Sequence, residues 1–467
     1  MTEHNLNQLH NIIRLFYPDA DTKTTVHNDT VVFEIGELTL KCPITDNIPS
    51  DLYKKLCDIT GKSMPWGNLT GIRPTRLAQK HGLKILGDKY FVSDKKLELL
   101  SNVIKAQEGY LPQGENLVNY YVNIPVCPSR CHYCSFAAGT IDECKGYLDD
   151  YVECLCEEIR RDGKLLKAGG HTIYSVYIGG GTPTALSAEQ LEKILKAVAT
   201  MLKRCHLGQN PVGQRGGDSK CDMCSRFERL AKMTPRVEFT CEAGRPDTIS
   251  DQKLALLKQY GVTRICINPQ SFVDKTLNAI GRSHTAEDFF GAYRLAKEYD
   301  FVINMDLIVG LADEGIEEFE YSLSKAIDLL PHNITVHTLS RKRGSLLREQ
   351  EMMRQGNDNC YDEVAQMVDL AYNKLTEIGY IPYYLYRQKS QKGSLENVGY
   401  CKPNFQCINN ISVMEELISV LASGAGAISK KIGAEGSPIV RYANAKDMRM
   451  YITEFEERYK AKKKLYR

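Results

Sequence analysis

The stretch Tyr121-Val-Asn-Ile-Pro-Val-Cys-Pro-Ser-Arg-Cys-His-Tyr-Cys134 decides how this chain is read. An apolar run, Tyr120–Ile124, stops at Pro125. Behind it come Cys127, Cys131 and Cys134 at Cys-x3-Cys-x2-Cys spacing. The run is short and rich in β-branched and aromatic residues, the pattern of a strand. The cysteines therefore sit on the tight loop at the end of a strand. Thiolates hold iron–sulfur clusters, usually four to a cubane. Three thiolates from one loop leave one iron without a protein ligand. A small molecule with an amine and a carboxylate, such as the methionine end of S-adenosylmethionine (SAM), can chelate that iron. A [4Fe–4S] cluster and SAM are thus the expected cofactors. Zinc is the competing metal, with His132 as a fourth ligand.

Further runs of the same kind occur at Ile173–Ile178, Val237–Cys241, Arg264–Ile267, Val302–Ile308 and Ile334–Leu339. Each is short and nearly uninterrupted, as in a strand covered on both faces. Helical segments separate them at Tyr147–Lys167, Ala188–Leu202, Asp251–Tyr260, Ala286–Tyr299 and Ile316–Leu330. Repeated β–α units predict a parallel sheet with right-handed crossovers. Six units make a partial (β/α)6 barrel over residues 113–340, with its site at the C-terminal strand ends. Residues 1–112 read as an N-terminal α+β domain: a helix over Asn7–Phe16, then two short strands around Gly36. Residues 341–467 read as a C-terminal α+β extension, with a helix over Tyr361–Glu377 and a strand over Tyr383–Tyr386. His206–Lys220 is rich in Gly, Gln and Asn and reads as a mobile insertion. Nearby Cys221 and Cys224 are expected not to be cluster ligands.

The strand ends carry other polar groups. Gly179-Gly-Gly-Thr-Pro183 comes after the second run, and backbone without side chains can approach a ligand closely. Glu242 ends the third run and could accept both hydroxyls of a ribose. Gln270 and Arg282 come after the fourth, and Arg282 could pair with the SAM carboxylate. Asp306 lies inside the fifth run, where a carboxylate is costly unless it is paired. Trp66, the only tryptophan, stands in the turn-rich Trp66-Gly-Asn-Leu-Thr-Gly-Ile-Arg-Pro-Thr75 and reads as a core anchor.

Charged residues nearly cancel, 60 basic against 58 acidic. That removes the strongly basic surface a nucleic-acid partner requires. No stretch has the length of a membrane span. The polar start Met1-Thr-Glu-His-Asn-Leu6 is unlike a signal peptide, so a cytoplasmic location is expected. Sixteen cysteines in a reducing compartment are thiols or metal ligands and not a disulfide framework. The basic end Arg458–Arg467 reads as a solvated helix.

With these residues in hand, the chain resembles the radical SAM family of oxygen-independent coproporphyrinogen III oxidases. The likeness runs through the cysteine loop, Gly179–Pro183, Glu242, Asn268–Phe272, Gly281–His284 and Asp306–Leu311. Trp66–Thr75, Tyr384–Lys389, Leu395–Tyr400 and Gly424–Ser429 resemble a narrower branch, the HemZ-type coproporphyrinogen dehydrogenases. The resemblance implies that Cys127, Cys131 and Cys134 hold the cluster. It implies that Tyr121 and Tyr133 pack around SAM, and that Gly180, Gly181 and Thr182 meet its methionine or adenosine. Glu242, Gln270, Arg282 and Asp306 would bind its ribose and carboxylate. The implied reaction is oxidative decarboxylation of porphyrinogen propionates in heme biosynthesis, with a flavodoxin- or ferredoxin-type electron donor. Leu311-Ala-Asp-Glu314, Phe136 and Asn123 depart from the pattern of relatives.

Two alternatives stand beside this reading. One is a heme-binding or heme-transfer protein on the same fold; that branch carries a His-Asn-x-x-Tyr-Trp segment which this chain lacks. The other is a radical SAM tetrapyrrole methyltransferase. A tetra-acid substrate calls for Arg or Lys at the barrel mouth, and Arg130, Arg245, Arg341, Arg343 and Arg387 are the candidates. The C-terminal region is expected to close the barrel, with the tyrosines of Tyr384–Lys389 against the macrocycle.

Overall fold

The computed structural model describes residues 3–18, 20–71, 73–112, 114–134, 139–206, 237–340, 361–388, 395–433 and 437–466. Phe136, Cys221, Cys224, Arg341, Arg343, Lys389 and the Gly-rich stretch beyond His206 lie outside them.

At the N-terminus β1 (Thr22–His27), β2 (Thr30–Ile35) and β3 (Leu38–Pro43) form an antiparallel sheet. Helices Glu3–Phe16 and Ile48–Thr60 complete this unit. β1 escapes the sequence reading because Thr-Lys-Thr-Thr-Val-His is a mostly exposed edge strand with no buried alternation. Leu9, Ile12, Phe33, Leu52 and their neighbours form a core of their own that ends at Met64. From Trp66 onward most apolar residues join the main core instead, while Phe91 stacks on Tyr53 in the first one. By packing, the unit expected over 1–112 is therefore two parts.

The main body is an 11-stranded sheet. Its barrel strands are β4 (Leu117–Ile124), then, after the two-residue β5 (Val126–Cys127) and β6 (Gly139–Thr140), β7 (Thr172–Gly180), β8 (Glu238–Glu242), β9 (Arg264–Cys266), β10 (Val302–Val309) and β11 (Asn333–Thr338). The six pair in parallel and in chain order. Helices Leu148–Ala168, Ala188–His206, Asp251–Gln259, Ala286–Lys297 and Ile316–Asp328 lie between them in the chain. This is the (β/α)6 arrangement expected from the alternation of runs.

One expectation needs correcting. The barrel strands are not apolar on both faces. Val118, Tyr120, Val122, Val176, Ile178, Phe239, Cys241, Ile265, Met305, Leu307, Ile334 and Val336 face the helices in the main core. Their alternate neighbours are largely polar and meet across the lumen. At the floor Ser175 bonds Asn119 (2.6 Å), and Arg264 bonds Asn304 (2.8 Å) and Asn333 (2.6 Å) and pairs with Glu238 (3.3 Å). Glu238 also accepts the backbone N–H groups of Ile408 and Asn409, so residues 405–412 cap the floor. Buried polar groups are tolerated there because each strand supplies the next with a partner.

The C-terminal region flanks both edges of the barrel sheet. β12 (Ile381–Arg387) and β13 (Glu396–Cys401) extend it antiparallel beside β11. β14 (Ser419–Ser423) lies parallel to β4, and beyond it come β15 (Ile428–Lys431) and β16 (Val440–Ala443). Trp66 is the anchor expected: its Nε1–H donates to Glu396 (2.6 Å), which also pairs with Lys96 (2.6 Å). Arg387 lies with its guanidinium 5.3 Å from the Trp66 ring centroid and donates to the Leu69 carbonyl. It is buried in this joint and is not presented at the mouth. Tyr383 and Tyr384 are likewise packed with Cys401, Cys407 and Ile411 in a core. They are strand residues and not a macrocycle platform. Among the described residues, no helix is long and apolar enough to cross a membrane.

Candidate functional site

The cysteine loop leaves the end of β4 and is held from several sides. The N–H groups of Gly181 and Thr182 donate to the carbonyls of Ile124 (2.8 Å) and Val126 (2.7 Å). Thr182 Oγ1 donates to Cys127 Sγ at 3.5 Å. A Cβ on Gly181 would stand 2.4 Å from the Val126 oxygen, so only glycine lets the second strand's end close on this loop. The glycine run thus has a structural reason: it seats the cysteines. On the other side His132 N–H donates to the Ile280 carbonyl (2.9 Å), and Ser129 Oγ donates to that of Gly281 (3.3 Å).

His132 Nδ1 is 2.9 Å from the Ala279 carbonyl oxygen. Among the described residues, no three His, Cys, Asp or Glu side chains converge on a single ion.

Below the loop the lumen holds a polar group set. Tyr177 O–H donates to Glu242 Oε1 (2.7 Å) and its ring stacks on Tyr121 at 6.1 Å. Tyr121 O–H in turn donates to Asn123 Oδ1 (3.0 Å). Burial pushes the Glu242 carboxyl up to about 7; the Tyr177 bond opposes this, Asp306 adds to it, and the Gly180 N–H and His337 oppose it. Asp306 Oδ2 lies 3.6 Å from His337 Nε2, and His337 Nδ1 lies 3.3 Å from Tyr386 O–H.

Gln270 has a left-handed backbone (φ +68°), held by its N–H on the Asp306 carbonyl (2.9 Å) and its own carbonyl on Ile308 N–H (3.0 Å). Its side-chain Oε1 is buried without a partner. Arg282 Nη1 donates to the Asn268 carbonyl (2.7 Å) and Nη2 to Tyr133 O–H (3.3 Å), while its Nε has no partner. Asn268 Oδ1 and both ring nitrogens of His284 are also buried without partners. Native interiors rarely leave such atoms unpaired, so a set of them at one barrel end marks a ligand's place. These residues fit SAM and a cluster: acceptors for hydroxyls, a guanidinium for a carboxylate, and three thiols above.

The structure therefore brings together Tyr121, Cys127, Cys131, Cys134, Tyr133, Gly180, Gly181, Thr182, Glu242, Gln270, Arg282 and Asp306 at the C-terminal end of the barrel. Sequence reasoning missed Tyr177 and His337. Their signal was the period-two alternation Ser175-x-Tyr177-x-Gly179 and Asn333-x-Thr335-x-His337, which puts both on the lumen face. Arg130 is exposed beside Cys131, whereas Arg245 is buried beneath the loop.

A thiol triad on the first loop of a parallel (β/α)6 barrel defines the radical SAM class, and residues 121–326 match the radical SAM superfamily. Its cofactors are a [4Fe–4S] cluster and SAM. Over 419 residues the chain is 38% identical to the oxygen-independent coproporphyrinogen-III oxidase-like protein HemZ of Bacillus subtilis, covering 85% of this chain and 76% of HemZ. The chain belongs to this HemZ family of radical SAM proteins. It is 29% identical over 266 residues to the heme chaperone HemW of Bacillus subtilis (56% of this chain, 61% of that one). With HemW of Escherichia coli it shares 27% over 298 residues (63% and 65%). It thus spans less than two thirds of either chaperone. The fold matches that of a radical SAM enzyme, the coproporphyrinogen III oxidase HemN of Escherichia coli, with TM-score 0.52 at 20% identity, over 76% of this chain and 72% of that one.

Proposed function

We propose that this protein is a SAM-dependent oxidative decarboxylase that converts coproporphyrinogen III to protoporphyrinogen IX without oxygen. The observation that carries it is the convergence of a three-thiol loop, two carboxylates and unpartnered Gln270 and Arg282 atoms at one barrel end. The substrate class rests on the likeness to HemZ. Cys127, Cys131 and Cys134 hold the cluster, and Arg282 meets the SAM carboxylate. Glu242, Gln270 and Asp306 accept its ribose hydroxyls. Tyr121 and Tyr133 border it, and Gly180–Thr182 set the loop's height above it. When bound, these cofactors would supply one-electron chemistry that removes a hydrogen atom from a propionate β-carbon; the side chain would then lose CO2 and give one electron to an acceptor, leaving a vinyl group.

The chain's own part is binding and enclosure. The Tyr177–Glu242 and Asp306–His337 contacts hold the acceptor oxygens in place before any ligand arrives. Arg130, exposed beside the loop, is the arginine we assign to a propionate. A small flavodoxin- or ferredoxin-type protein supplies the electron, in the cytoplasm. The test is anaerobic incubation with SAM, reductant and coproporphyrinogen III, read by mass. Loss of two CO2 with two vinyl groups formed is the expected result. The likeness to HemW favours heme binding as a second reading. Tight stoichiometric heme uptake with no mass change would replace the first reading by the second.

A further inference from the structure

Arg245 stands just beyond β8, three residues after Glu242, where the chain turns back beneath the cysteine loop. It is 2% exposed, and each of its three nitrogens has a partner. Nη1 donates to Cys131 Sγ (3.4 Å), Nη2 to Ser129 Oγ (2.9 Å), and Nε to Asp247 Oδ1 (3.3 Å). Arg282, which also touches Cys131, keeps its Nε unpartnered and faces the SAM position. Arg245 has no nitrogen unengaged and no path to the mouth, so a propionate role does not suit it. What it touches is the sulfur of one proposed cluster ligand and the loop residue two before it.

We propose that Arg245 is a positioning residue that sets the reduction potential of the cluster through Cys131. The inference rests on the reading of the three cysteines as cluster ligands. Reduction adds one electron, supplied by the donor, to a group already made negative by its thiolates. A guanidinium in contact with one of those sulfurs, and shielded from water, favours the more negative state. Its N–H on the sulfur draws charge from the ligand in the same direction. Asp247 opposes this, but its side chain is 28% exposed, and water weakens its field at the sulfur. The two residues therefore act with opposite sign: Arg245 raises the potential and Asp247 lowers it.

The experiment is an EPR-monitored redox titration of the reconstituted full-length protein, without SAM or porphyrinogen. Arg245→Gln is expected to cut the equilibrium constant for electron uptake at least tenfold, a downward shift of 59 mV or more for one electron. Arg245→Lys keeps the charge and recovers most of that shift. Asp247→Asn shifts the midpoint upward. Arg245→Gln protein with full iron content and an unchanged midpoint overturns the proposal. If that variant loses its iron, Asp247→Asn decides alone, and an unchanged or lower midpoint there also overturns it. Wild-type protein that takes up no iron removes the cluster reading itself. The expected shifts in a protein that does not turn over coproporphyrinogen III uphold this proposal while removing the substrate.

Discussion

Gln270 and Glu242 show how single residues carry the site. A left-handed non-glycine backbone costs about 1–3 kcal/mol and persists only where neighbours hold it. Here the Asp306 and Ile308 backbone hold Gln270 in that state, and the result is an amide oxygen aimed at nothing the protein supplies. Glu242 titrates near 7 because burial and Asp306 outweigh its Tyr177, Gly180 and His337 contacts. Below that pH it is neutral and a weaker acceptor; above it, ionised and a stronger one. SAM affinity of the reconstituted protein is therefore expected to rise as pH increases through about 7. Glu242→Gln is expected to lower affinity by about tenfold to a hundredfold above pH 7, from roughly 1–3 kcal/mol per lost bond, and to flatten the pH step. Equilibrium dialysis over pH 6–8, a window of about one unit either side of that value, checks both. Unchanged affinity with abolished turnover would make Glu242 a group of the chemical step instead. Glu242 and Asp306 were legible in the sequence because one ends an apolar run and the other breaks one, and Gln270 and Arg282 because they stand in the polar segments Asn268–Phe272 and Gly281–His284 beyond the fourth run. Tyr177 and His337 were not, since a ring inside a strand reads as core until the lumen is known to be polar.

The C-terminal helix Phe455–Leu465 is an element whose burial its own composition hides. Its lysines read as a solvated basic end, but Lys462 is fully buried. It pairs with Asp162 (2.6 Å) and Glu158 (2.8 Å) on helix Leu148–Ala168. Burial alone would lower the Lys462 ammonium, yet Asp162 and Glu158 reverse this and raise it. Glu158 also accepts Gly424 N–H (2.8 Å) and Tyr451 O–H (2.5 Å). The adjoining Ala425 carbonyl receives the Asn123 amide at the foot of the cysteine loop. The tail thus braces the loop through β14. Lys462→Met is expected to cost about 3–5 kcal/mol, the usual loss when one partner of a buried charge cluster is removed. Urea unfolding at neutral pH measures it. A loss below about 1 kcal/mol, the size of an exposed pair, would show that water reaches the cluster in solution. The helical register that points Tyr459 and Lys462 inward carries no mark in composition, because the Asp162 that Lys462 meets lies 300 residues away.

At the scale of the molecule, the barrel depends on the C-terminal region. The sequence makes this region a closing segment and leads to the expectation that a chain cut before about residue 345 keeps its cluster if it folds. In the structure, residues 381–387 and 396–401 cover one sheet edge and 419–423 the other, the latter alongside Val118–Val122 just ahead of Cys127. Residues 405–412 satisfy Glu238 and Arg264 at the floor. Truncation would bare two edge strands and strand a buried ion pair. The truncated protein is therefore expected to show no cooperative unfolding transition and to hold no stable cluster. Circular dichroism melting with iron analysis checks this. A truncated chain that melts cooperatively with its cluster would show that the barrel stands alone.

Local spacing was enough for the cysteine loop, the six parallel strands and the carboxylates at their ends, because each is written in a window of a few residues. Periodicity and ligand spacing are properties of neighbours along the chain, and they need no knowledge of the rest. Pairing between distant segments came only from the tertiary structure. It put Arg245 on Cys131, Arg387 on Trp66 and Lys462 on Glu158 and Asp162. All four cationic or aromatic side chains look like surface or anchor residues alone. A charge is buried only when its partner is brought to it, and that is decided by how the strands and helices pack.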